Sequence, residues 1–164
     1  VILNNEYRGI YSLTEAMDRK ELKLKKYDDK NQEFHGQLWK VSSWDKATFW
    51  DIDKDYDNTQ ETWHAFETKY PDIEDVSPTD YSPLYEAIDF VVNSNDETFK
   101  KEVGDYFDIP VLIDYQLFQE TLKPVDNNGK NMFWGIYDGD YYAIMGLPVN
   151  ELYKHLKQYN LTSI

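Results

Sequence analysis

The chain has 164 residues, of which 31 are acidic and 17 basic, for a formal net charge of −14. That balance disfavours sequence-independent binding to nucleic acid and to anionic membrane surfaces, both of which attract a surplus of Lys and Arg. The absence of cysteine excludes disulfides, thiolate zinc sites and cysteine nucleophiles, and an aromatic share of 16% argues for a folded chain with a single core. No apolar run reaches the roughly 18 residues that suggest a membrane span, and the start on "VIL", without Met, reads as a piece cut from a longer precursor.

In chain order, "VILNNEYRGIYSL" predicts two strands joined at Asn4-Asn5, because β-branched and aromatic residues flank a turn-prone pair. "TEAMDRKELKLKKYDDK" is rich in helix formers, yet its Leu22-Leu24 alternation fits a strand end equally well. "FHGQLWKVSSW" and "ETWHAFETKY" each predict a strand, the second closed by Pro71.

The period then changes. Leu84, Ile88, Val91 and Val92 recur at helical spacing behind Pro83, a favourable first-turn residue. "SNDE", from Ser94 to Glu97, is a capping box opening a short helix that ends near Gly104. Asp108 caps a third helix, with Val111, Leu112, Tyr115, Phe118 and Leu122 on one face, and Pro124 ends it. "NMFWGIYD" predicts a strand and "LPVNELYKHLKQYN" a last amphipathic helix. A β-rich part over residues 1–75 followed by a helical part over 76–164 is an α+β pattern in one domain.

Few segments carry chemistry by spacing. Aspartates 51, 53, 55 and 57 alternate as in a calcium loop, but Tyr56 replaces the required glycine and Glu61 falls one position early, so a solvated acidic loop is the expectation. His35, His64 and His155 lack ligand spacing, and no GxSxG, Walker or GxGxxG motif is present. The basic cluster from Arg19 to Lys30 reads as a solvated face interleaved with acids. The aromatics admit a sugar-stacking surface, although cores hold such residues as often.

"KPVDNNGKNMF", Lys123 to Phe133, admits two readings. Asn128-Gly129 is a strong turn signal, and Asp126 and Asn131 stand at the spacing of the aspartate and asparagine in a phosphoryl-transfer loop. Lys40 in "QLWKV" and Lys69 in "FETKY" lie in predicted strands, where a kinase places its phosphate-pairing lysine and where a solvent-facing lysine is equally at home. Glu15 in "SLTE" either pairs with such a lysine or opens the next helix.

Taken in order, "NNEYRGIYSLTEAMDRKELKL", "GQLWK", "FETKYPD" and "FDIPVLIDYQLFQETLKPVDNNGKNMF" resemble the CotH family, the spore coat protein H-like atypical kinases found also in secreted and cell-surface bacterial proteins. The resemblance covers most of the chain. It implies a divergent protein-kinase-like fold that uses ATP with Mg to phosphorylate serines of a Ser-rich protein substrate, in an extracytoplasmic precursor with further domains. It casts Asp126 as the catalytic-loop aspartate, Asn131 as a metal ligand, Lys130 as a helper that neutralises phosphate charge, and Lys40 or Lys69, with Glu15, as the phosphate-pairing group. It also implies a "PWDxD"-like acidic segment after the asparagine. Here "NMF" runs directly into "WGIYDGDYY", so Phe133-Trp134 reads as a junction across missing residues, and Asp138 and Asp140 read as a hairpin turn rather than as a substitute. A domain that lost this segment would be an inactive binding or scaffold module, which is the alternative function.

Overall fold

A computed structural model describes residues 2–9, 19–20, 22–28, 30–31, 33–43, 52–72, 79–123 and 130–137. Asn4 and Asn5 both take left-handed backbone angles, φ 53° and 64°, and fold β1 (Ile2–Leu3) back on β2 (Glu6–Tyr7). This is the two-residue turn whose twist suits a hairpin.

The main sheet is antiparallel, with strand order β4-β5-β3-β6. Its strands are β3 (Gly36–Val41), β4 (Thr62–Trp63), β5 (Phe66–Tyr70) and β6 (Phe133–Tyr137). "ETWHAFETKY" is therefore a hairpin and not the single strand expected. Trp63 pairs with Phe66, leaving His64-Ala65 as the turn, and His64 adopts φ 49°. Histidine takes that angle more readily than most side chains, but the apolar run on both sides conceals the reversal.

Three helices follow: α1 (Ser82–Asn93), α2 (Asp96–Tyr106) and α3 (Ile109–Leu122). The first has Pro83 in its opening turn. The second is capped by Asn95, whose side chain accepts from the Glu97 and Thr98 amides at 3.0 and 2.9 Å, one residue later than the capping box implied. It also runs through Gly104 to Tyr106, because that glycine does not take the left-handed angle that would close a helix. The third is capped by Asp108, whose carboxylate accepts from the Val111 amide at 3.1 Å, and it closes on Lys123 at φ 46°. Tyr115 and Phe118 are buried as the periodicity predicts, whereas Leu122 is 57% exposed.

The mixed composition of sheet and three helices is α+β in character. Strand β6, which follows the helices in sequence, pairs residue for residue with β3 across Phe133 and Trp134, so the β-rich part is completed by a strand from the helical part. Gly36 permits the close approach, since a Cβ there would meet the Ile136 carbonyl at 2.9 Å and Leu24 at 3.2 Å.

The sheet is covered on both faces. On one, Trp39, Val41, Trp63, Phe66 and Tyr81 pack with Leu84 and Ile88 of α1. The Tyr81 hydroxyl, fully buried, accepts from Thr68 at 2.9 Å and donates to the Glu61 carbonyl at 2.7 Å. On the other face Leu22 and Leu24 cover Leu38, Tyr70 and Phe133. The Tyr137 hydroxyl donates to the Leu22 carbonyl, and the Tyr70 hydroxyl accepts from the Tyr27 amide and donates to the Lys25 carbonyl, so two phenols fasten this cover to the sheet. The predicted helix over "LPVNELYKHLKQYN" lies outside the described residues.

Candidate functional site

The predicted loop returns to the sheet at the C-terminal end of β3. There the Asn131 amide donates to the Val41 carbonyl at 2.9 Å, and the Val41 amide donates to the Met132 carbonyl at 2.8 Å. These two bonds extend the β3-β6 ladder beyond its last paired residues, Lys40 and Phe133. Asn131 and Lys130, both half-buried, are thereby set next to the strand that carries Lys40. Asn131 takes φ 58°, a left-handed conformation that asparagine tolerates better than most side chains.

Register separates the two candidate lysines. Lys40 lies opposite Glu67 on β5 and opposite Phe133 on β6, so these three side chains share one face. Lys69 lies two residues beyond Glu67 on the same strand and is ion-paired with it. Lys40 has no ion pair among the described residues and is half-buried beside the Leu38 and Phe133 cluster. A cation at that position is free to meet an anionic ligand, whereas the charge of Lys69 is already met. Glu67 is the residue that sequence reasoning missed, because only the pairing of β3 with β5 reveals that it adjoins Lys40.

The structure therefore brings Lys40, Lys130 and Asn131 to one end of the sheet and sets Lys69 one strand away. Asp126 and Glu15 lie outside the described residues, as do Asp138 and Asp140. Within the acidic loop Asp55 and Asp57 have structural employment. Asp55 accepts from the Trp63 indole at 3.0 Å and faces His64 at 3.5 Å, while Asp57 accepts from the Thr59 amide and hydroxyl at 2.9 and 2.7 Å. The Trp63 hydrogen bond, and the Thr59 bonds, hold these carboxyls below the usual carboxylate range.

The family model described as "CotH kinase protein" matches residues 1–146, a span that runs through Lys40, the helix α3, the loop and β6. The dTTP/UTP pyrophosphatase of Acholeplasma laidlawii (strain PG-8A) is 28% identical to this chain over 85 residues, 48% of this chain and 45% of that protein. The chain thus spans about half the length of the curated relative it matches. No solved structure matches it.

Proposed function

The chain belongs to the CotH family, and from that membership we propose that it is an atypical protein kinase domain of divergent kinase-like fold, transferring a phosphoryl group from ATP to serine hydroxyls of a protein substrate. What supports the reading is the pair of backbone bonds, Asn131 amide to Val41 carbonyl and Val41 amide to Met132 carbonyl, that set Lys130 and Asn131 beside the strand carrying Lys40. Phosphoryl transfer needs little covalent chemistry from the protein; it needs positioning and stabilisation of charge. Two ammonium groups and an amide oxygen at one sheet end are a donor set suited to phosphate oxygens and to a hard cation that shares them.

In this reading Asp126 orients the acceptor hydroxyl and receives its proton, and Asn131 contributes an oxygen towards magnesium. Lys40 pairs with the phosphates while Glu67, opposite it on β5, keeps its ion pair with Lys69, and Lys130 offsets charge at the transferred group. Bound magnesium ATP would supply the phosphoryl donor and neutralise charge as the bond to it breaks. The reading extends to a secreted or cell-surface precursor with further domains and to a Ser-rich substrate. The 28% identity to the A. laidlawii protein brings no pyrophosphatase activity into it. Incubation of the full chain with labelled ATP, magnesium and a Ser-rich protein is expected to transfer label, and Asp126→Ala is expected to abolish the transfer. Equal labelling by the variant would refute the assignment.

A further inference from the structure

We propose that the outward face of α3 is a docking surface for a segment of the same chain, residues 147–160, which the sequence reads as an amphipathic helix. The contact does not rest on the kinase reading.

Helix α3 is apolar on two sides. Tyr115 and Phe118 are buried on one, while Ile113 and Leu117, one helical turn apart on the other, are 54% and 59% exposed. Pro110 extends the same stripe and is exposed as well. A helix with apolar residues all round belongs between two layers, and the described residues cover only the side of Tyr115 and Phe118.

The margins of the stripe are acidic. Asp114 and Glu120 flank Ile113 and Leu117 and are both exposed, and no basic residue occurs from Ile109 to Leu122. A second copy of this face would set acid against acid across an isologous contact. The occupant must therefore be apolar on one side and carry more bases than acids. Of the stretches outside the described residues, 10–18, 44–51, 73–78, 124–129 and 138–146 each hold more acids than bases. Residues 147–164 set Lys154 and Lys157 against Glu151, and Val149, Leu152, Tyr153 and Leu156 recur there at helical spacing. Pattern and charge select the same segment.

The chain can also reach. Trp134 of β6 packs in one cluster with Ile109 and Leu112, at the start of α3. From Tyr137, the end of β6, the connection to Leu147 spans up to about 33 Å when extended, whereas Pro110 to Leu117 occupies about 10 Å of helix. Because α3 closes on Lys123 and leads into the stretch that carries Asp126, a cover on its outer face braces the helix that delivers that loop.

The chain has no cysteine, so introduced thiols report without background. Leu117→Cys replaces an exposed side chain, and in the full chain its thiol is expected to react with a maleimide at least about tenfold more slowly than in urea. Adding Leu152→Asp and Leu156→Asp, which strip the apolar side of the segment, is expected to restore the rapid reaction. A second measurement leaves most of that side in place: Leu117→Cys combined with Leu152→Cys or with Leu156→Cys is expected to give, in at least one of the two chains, a disulfide within the monomer on mild oxidation. Leu117→Cys combined with Gln158→Cys, on the polar side, is expected to give none. Equal thiol rates with and without the two aspartates would overturn the proposal, as would a disulfide from neither leucine position or one formed as readily from Gln158→Cys. Cross-links found only between chains would overturn it in favour of a second copy.

Discussion

Asn131 offers a substitution series in which backbone and side-chain roles come apart. Its φ of 58° places a side chain where most L-residues are strained. Asn131→Ala keeps a Cβ in that conformation and loses the amide, so it is expected to cost about 1 kcal/mol of stability. For a chain of this size that lowers Tm by about 2–4 °C. Asn131→Gly removes the Cβ and relieves the strain, so its stability is expected to stay near that of the parent. If the amide oxygen holds magnesium, both variants lose transfer by at least about a hundredfold despite their different melting temperatures. Asn131→Asp tolerates the same backbone angle and keeps an oxygen at the same reach, and partial activity is expected. Urea melts and label transfer from ATP measure the two effects side by side. Full transfer by Asn131→Gly would refute the metal role, and an unstrained Asn131→Ala would refute the backbone argument.

Lys40→Met is expected to weaken binding of magnesium ATP in a calorimetric titration far more than Lys69→Met, because the charge of Lys69 is already met by Glu67; equal losses would show that register does not choose between them. Tyr81→Phe strands the buried Thr68 hydroxyl, whereas the Glu61 carbonyl keeps the Thr68 amide, with an expected cost of about 1–3 kcal/mol in urea unfolding, and a change below about 0.5 kcal/mol would count against that network. Asp55 has a folded pKa below its ordinary value of 3.8, through the Trp63 indole first and His64 next. Its contribution to stability is therefore present above that value and is lost as pH falls through the lower folded one. Asp55→Asn is expected to make the acid limb of the stability profile shallower, and an unchanged limb would remove Asp55 from the account.

Local signals were legible and nonlocal ones were not. The Asn4-Asn5 hairpin, the Asp108 cap and the burial of Leu84 and Ile88 depend on residues a few places apart, and the structure has all of them. The His64 reversal escaped because its neighbours Trp63, Ala65 and Phe66 are all buried and give no polar break in the pattern. Leu122 has the right period for the α3 face and nothing described to pack on, which periodicity cannot reveal. At the site, Asn131 and Lys40 could be named from sequence, yet their adjacency requires the β3-β6 pairing, a contact between residues far apart in the chain. The choice of Lys40 over Lys69 likewise depends on Glu67, which becomes a neighbour only through register.

That same pairing ties the loop to the core. Val41 is fully buried and bonds the loop end with both its amide and its carbonyl. The strand leaving the loop passes Gly36, where any added carbon collides with the Ile136 carbonyl and presses on Leu24. Leu24 belongs to the segment that covers one sheet face and continues to Lys25 and Tyr27, which bond the Tyr70 hydroxyl. A shift at Gly36 would therefore displace β6, and with it Asn131, while loosening the cover that seats Lys25 and Tyr27.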